Sequence, residues 1–501
     1  MFKTLNSLRK DILSNKYKES FLIFLLLLPL SFFILFLFSN YYYYLPLGNN
    51  EASHLLVARS VFYGNLPYIE HFDPRGPLLY YIYAISFFFS DFLIGFYILN
   101  YLVIFLSCLI SYKIGVNLFS KKSGIFACLF SGLILSQGYN PENLIFLFLN
   151  LFIYFTIIKL DNFKISSPIF AGLFVSCATL IRFNISVLAI IGFLFFLTQS
   201  SKRLLYTVTY AISGLIPLLI FIILYSGETD GLKIFWNSTF VYSINLPQGR
   251  PFYIGVYQLM DSFVSLAWSS LFILSILSFF IQKEKKKIMI FLMVFFLFSF
   301  FSVLLARKFN DHYFLVSSPF LIAAGSSIMN NKILKSKKII TIIFIICFTN
   351  PLLENFYNKI KLYYRPGNFS FFLSELLNNH IKPDEKIFSS INGVYLHMNK
   401  KNFLKLVDAS HFNNNRHYNY ESVYGEKITF LDEFNNVLIQ EPNFLIFDEN
   451  FKSGYFYKDV LKNIEHSYKK YQFYDESKLQ IYRKNFKDEI KTIEVYKLQK
   501  K

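Results

Sequence analysis

Runs of about 15–25 apolar residues recur from Ser20 to Leu352, and a helical bilayer crossing needs about 20. The runs are continuously apolar and do not alternate, which excludes a closed barrel. Over half the chain, 54%, is hydrophobic and only 16% is charged, a balance that excludes an ordinary soluble protein. The fold class is therefore a polytopic α-helical membrane protein.

The net charge of +18 does not point to nucleic acid. Its lysines and arginines sit in short loops between apolar runs, where cytoplasmic loops of membrane proteins carry them. All four cysteines, Cys108, Cys128, Cys177 and Cys347, lie in apolar runs, so there is neither a disulfide framework nor a CxxC metal motif. No short apolar region with a small-residue cleavage site opens the chain, so 20–40 reads as a retained first helix.

Charge parity then orders the helices. Lys3, Arg9, Lys10, Lys16 and Lys18 place the N-terminus in the cytoplasm. If Pro77–Phe89 were a crossing, every later basic loop would fall outside, including "KEKKK" at 283–287 and "NNKILKSKK" at 330–338. If that short, Tyr-rich segment lies in the outer interface, all of them fall inside. The expected crossings are 20–40, 92–113, 123–137, 143–159, 166–181, 184–199, 204–225, 259–281, 288–305, 313–328 and 338–352, about eleven by length and hydropathy. On that topology 49–76, 141–143, 182–184, 227–261 and 307–312 share the outer face. The charge pattern and Cys-poor external parts suit a bacterial inner membrane.

From Glu354 onward the chain turns polar. "PDEKIFSSINGVYLHM" reads as a turn and then a strand-like apolar stretch, and "PNFLIFDEN" and "KLQIYRKNF" read as strands; "FSFFLSELLNNHI" and "FYKDVLKNIEHSYKKY" read as helices. The expected division is 1–353, a membrane domain with its first outer loop at 41–91, and 354–501, a small α/β extracytoplasmic domain.

The first outer loop, "NNEASHLLVARSVFYGNLPYIEHFDPRGPLLYY", holds the densest polar stretch near the membrane segments. Ala52, Leu55, Leu56 and Ala58 have helical spacing, with Glu51, His54 and Arg59 available for a polar side. Gly64 suits a C-cap and Pro67 discourages a restart, so an amphipathic helix along the membrane is expected. "HFDPRGP" then makes a rigid turn carrying Asp73 and Arg75. The Tyr tracts at 41–44 and 80–83 read as interface anchors.

This loop resembles the first outer loop of the GT-C membrane glycosyltransferases, the superfamily of protein O-mannosyltransferases and the aminoarabinose transferase of lipid A. "SQGYNPENLIFLFLNLFIYF" and "ARKFNDHYFLVSSPFLIAAG" resemble two of their later outer motifs. The likeness spans roughly 20–350 and implies a GT-C-like fold of about eleven helices with interfacial helices in the first loop. It implies transfer of a sugar from a polyprenyl phosphate to a lipid-linked or surface glycan, or a protein. The family's acidic pair falls on Asn50 and Glu51, its basic residue on Arg75, and its second-loop acid on Glu142. Asn50 stands where the family has Asp, and Asn is no base: either Glu51 takes that role, which is the reading favoured here, or the register is off by one, or activity is reduced. Arg75, Arg307 and Arg182 are the expected cations for the donor phosphate. His54, Arg59, Asp73, His312 and Tyr313 are the expected substrate contacts. A divalent cation, Mg or Mn, between Glu51 and Glu142 is an open option.

Each residue also has a plainer reading. Glu51 and Glu142 would complement helix dipoles, the arginines would hold lipid headgroups, and Asp73 would shape a turn. A lipid-linked sugar carrier or flippase, or an inactive GT-C-like scaffold, remains an alternative to the enzyme. The sequence shows no internal repeat of the kind many carriers have.

Overall fold

The computed structural model describes residues 49–73, 75–89, 92–135, 141–157, 164–199, 202–242, 266–305, 315–330, 369–400, 430–452, 457–473 and 492–499. The helical part runs α1 Asn49–Phe62, α2 Pro77–Ala84, α3 Phe92–Leu118, α4 Lys121–Leu135, α5 Pro141–Thr156, α6 Ser166–Ile181, α7 Ser186–Gln199, α8 Arg203–Ser226, α9 Gly231–Trp236, α10 Leu266–Ile281, α11 Lys286–Leu305 and α12 Ser318–Ser326. Among the described residues, three helices are long and apolar enough to cross a membrane: Phe92–Leu118, Arg203–Ser226 and Lys286–Val303. Shorter apolar helices occupy the expected crossings that begin near 143, 166, 184 and 259. The expected crossings at 20–40 and 338–352 lie outside the described residues, as does the Tyr tract at 41–44.

Small and polar residues hold these helices together, as an apolar solvent requires. Ser131 donates to Ser111 Oγ at 2.8 Å and Asn150 Nδ2 to the same oxygen at 2.9 Å, tying α4, α3 and α5 into one buried knot. Helix α6 packs closely on α8 because Gly172 meets the Tyr210 carbonyl with no room for a Cβ. Pro77 in the first turn starts α2, which tightens into a 3-10 turn at Ile85–Phe88 and stops, too short for a crossing.

The C-terminal part contains α13 Phe369–Asn378, β1 Ile387–Ser389, α14 Asn392–His397, α15 Phe430–Ile439, β2 Phe444–Phe447, α16 Glu449–Lys452, α17 Tyr457–Ile464, β3 Tyr468–Lys470 and β4 Glu494–Leu498. The sheet order is β1-β2-β4-β3. Strands β1 and β2 are parallel, and β4 is antiparallel to both β2 and β3. Strand alternation splits "FLIF" between two cores. Phe388, Leu445 and Phe447 face α15 and α17, while Ile387, Phe444 and Ile446 join the large core that continues into the helical part. Both faces are covered, which is why β1 and β2 read as unbroken apolar runs.

Three expectations change here. The strand-like stretch in "PDEKIFSSINGVYLHM" ends at Ser389, where the Ser389 hydroxyl accepts from the Ile391 N–H and turns the chain into helix α14. The segment "HSYKKY" leaves its helix at Ile464 and supplies β3, because Tyr468 must face the inner core while Lys469 and Lys470 stay wet. The "KLQIYRKNF" strand lies outside the described residues, and the last described strand is the later "EVYKL".

Helix α1 also departs from expectation. It does not lie as a surface amphipath: Ala52 through Ala58 are all buried, Ser53 and His54 included. Helix α2 packs on it from one side and α14 from another. Its few polar groups are small or paired, so enclosure leaves little unsatisfied.

Candidate active site

The loop between α1 and α2 is fastened by tyrosine hydroxyls. Gly64 closes α1 with φ +97°, a conformation only glycine adopts without strain. Tyr225 then donates to the Pro67 carbonyl at 2.8 Å, Tyr68 to the Arg75 carbonyl at 2.5 Å, and Tyr80 to the Asp73 carbonyl at 2.9 Å. Tyr68 packs edge-on to Tyr80 and stacks on Tyr225. Tyr80 and Tyr83 are therefore buried core groups, not the interface anchors expected of their tract. Burial pushes the Tyr68 and Tyr80 phenols well above their ordinary range, so they remain neutral donors.

One backbone contact sets the register of the site. The Gly76 N–H donates to the Ile181 carbonyl at 2.9 Å, and a Cβ at 76 would collide with the Leu180 carbonyl. Arg75 precedes that contact and Arg182 follows it, so the two guanidiniums arrive side by side. Glu142, in the first turn of α5 and fully buried, receives both: Arg75 Nη1 at 2.9 Å and Arg182 Nη1 at 2.8 Å, on the same Oε1. Three segments expected on the outer face thus meet through one carboxylate.

Glu51 stands half-buried on the first turn of α1. Burial raises its carboxyl above the ordinary range. Its backbone hydrogen bond and the charges of His54 and Arg75 offset part of that rise, while Glu142 adds to it. One turn along, the His54 Nδ1 contacts Asp73 Oδ2, with both side chains buried. Glu51, His54, Asp73, Arg75, Glu142 and Arg182 therefore form one neighbourhood.

Arg59 does not join it. Its guanidinium donates to the Tyr395 carbonyl at 3.1 Å and the Lys400 carbonyl at 2.6 Å, which makes it a brace to the C-terminal part rather than a substrate contact. Lys400 is itself pinned, its Nζ donating to the carbonyls of Lys382, Pro383 and Glu385 at 2.6, 2.7 and 2.8 Å. The Asn50 side chain, Arg307, His312 and Tyr313 lie outside the described residues.

A divalent cation between Glu51 and Glu142 would compete with the guanidiniums already on that carboxylate. Glu142 Oε1 already accepts two guanidiniums. Among the described residues no group of three or more His, Cys, Asp or Glu side chains is placed to hold an ion.

No protein-family model matches the chain, and no curated protein matches it in sequence. The fold, however, is that of the GT-C membrane glycosyltransferases. The chain is similar to ArnT from Cupriavidus metallidurans, solved bound to undecaprenyl phosphate, with a TM-score of 0.60 at 9% identity, over 94% of this chain and 97% of that one. It is similar also to the Archaeoglobus fulgidus oligosaccharyltransferase in its apo form, with a TM-score of 0.54 at 12% identity, over 87% of this chain and 71% of that one.

Proposed function

We propose that this chain is a membrane glycosyltransferase that takes a sugar from a polyprenyl-phosphate donor at the outer membrane interface. The acceptor is a lipid-linked or surface glycan, or a protein. The observation that carries the reading is the Arg75–Glu142–Arg182 cluster next to Glu51, in a fold shared with ArnT. Two adjacent buried guanidiniums form a preorganised seat for a phosphate, which competes with Glu142 for them on entry.

The chemistry follows from these placements. The acceptor hydroxyl oxygen bonds to the anomeric carbon as the bond from that carbon to the phosphate oxygen breaks. The hydroxyl proton passes to the Glu51 carboxylate. The leaving phosphate gains negative charge, which Arg75 and Arg182 stabilise. A carboxyl raised by burial is a stronger proton acceptor while ionised, and the nearby Arg75 charge favours its ionised form. His54 and Asp73 line the acceptor side, and the C-terminal part belongs to an extracytoplasmic domain. The membrane is a bacterial inner membrane with the N-terminus in the cytoplasm.

Transfer from a radiolabelled polyprenyl-phosphate sugar tests this. Glu51→Gln is expected to lower the rate about 10²- to 10⁴-fold. In the unaltered protein the acid limb should lie above the ordinary glutamate value, because a raised pKa protonates the base at higher pH. Full activity in Glu51→Gln removes the base. Lipid binding without any transfer by the unaltered chain favours a carrier or an inactive scaffold, the outcome that Asn50 makes worth checking.

A further inference from the structure

Tyr83 sits on the last turn of α2, three residues beyond Tyr80 and so on the same helix face. Its ring is fixed edge-on to Phe96, with centroids 5.1 Å apart. The side chain is 1% exposed. Its hydroxyl nonetheless has no hydrogen-bond partner among the described residues. Other buried tyrosines of the same region behave differently: Tyr68, Tyr80 and Tyr225 each donate to a main-chain carbonyl.

Tyr83 lies within electrostatic reach of Glu51, Glu142 and Arg75. Burial, reinforced by the two carboxylates, pushes the phenol upward and keeps it protonated, so it can only donate or stay idle. A buried idle hydroxyl is a cost to folding that phenylalanine at this position would not carry. An acceptor that arrives from outside the chain removes the cost.

We propose that the Tyr83 hydroxyl donates a hydrogen bond to a phosphate oxygen of the polyprenyl-phosphate donor, beside Arg75. This rests on the reading of the site given above. It adds a neutral donor to the two guanidiniums. Tyr83 is thereby a ligand-binding residue whose hydroxyl has no hydrogen-bond partner among the described residues, and it takes an anionic oxygen rather than a metal or a base.

The test compares Tyr83→Phe with the unaltered full chain in nanodiscs, with undecaprenyl phosphate and undecaprenol as paired probes. Tyr83→Phe should bind undecaprenyl phosphate about tenfold more weakly, since one hydrogen bond to a charged acceptor is lost. Undecaprenol binding should not change. The thermal midpoint of the lipid-free variant should equal or exceed that of the unaltered chain. Unchanged affinity for undecaprenyl phosphate in Tyr83→Phe overturns the assignment and leaves the phosphate site standing. A lowered lipid-free midpoint with equal loss for both lipids makes the hydroxyl structural and also overturns it. If the unaltered chain does not distinguish the two lipids, the phosphate site itself falls, and this assignment with it.

Discussion

Glu142 in the Arg75–Arg182 cluster and Glu494 in the C-terminal sheet are both heavily hydrogen-bonded carboxylates, yet they are built on different terms. Glu494 is held by Tyr457 at 2.5 Å, Tyr496 at 2.8 Å and Lys470 at 2.9 Å, at the rim of the sheet with its side chain 21% exposed. Burial works against its charge. The hydrogen bonds from Tyr457, Lys470 and Tyr496 outweigh it and pull the carboxyl down to about 2. Glu142 has two full positive charges on a single oxygen and no exposure at all. A folding core gains little from such a cluster, because desolvating three charges consumes most of the attraction among them. The sheet uses charge to finish a surface; the cluster around Glu142 concentrates charge in the interior.

The sharpest way to break this contrast is Glu142→Ala. It leaves Arg75 and Arg182 buried against each other, and the expected loss is about 3–5 kcal/mol of stability, with transfer abolished. Thermal unfolding in detergent reads it; an unchanged midpoint would show that the cluster is not what holds the loops. A middle effect comes from Arg59→Ala, which cuts the two carbonyl contacts to Tyr395 and Lys400. About 1–3 kcal/mol is expected from the carbonyls left behind, seen as faster hydrogen exchange in α1 and α14 together. Exchange that rises in α14 alone would mean the C-terminal part does not brace α1.

The smallest effect belongs to Glu494→Gln, worth at most about 1 kcal/mol once solvent screening is allowed for. Its sign is fixed by the depressed carboxyl. The contribution is present above the ordinary glutamate value and is lost as pH falls from about 4.5 toward about 2. A pH series of midpoints should therefore flatten over that interval in the variant. A slope equal to that of the unaltered chain would deny Glu494 the role.

Much of the architecture was legible because period and punctuation were strong. Helix 166–181 was read with its observed ends, since an apolar run stops at Arg182. "PNFLIFDEN" announced β2 because a strand covered on both faces is an unbroken apolar run. The strands "YKK" and "EVYKL" gave no comparable signal, for their outward positions are charged and their pairing is with distant partners. Arg75, Glu142 and Arg182 were nameable as polar residues near apolar runs. That they share one oxygen was not, because the Gly76–Ile181 contact that aligns them is made between main chains. Tyr83 was hidden by its neighbours: in a Tyr-rich tract, the hydroxyl proposed to meet phosphate is marked only by lacking a partner among the described residues.

That main-chain contact carries a consequence for how such a site drifts over time. Register between the first loop and the end of α6 is written in an amide, a carbonyl and one missing methyl group. None of these depends on what the surrounding side chains are. Apart from Gly76 and the tyrosines that fasten the loop, the letters around the contact are therefore freer to turn over while the arginines keep arriving at the same place. A geometry stored in backbone, with a single glycine as its toll, is one that can outlast recognisable ancestry.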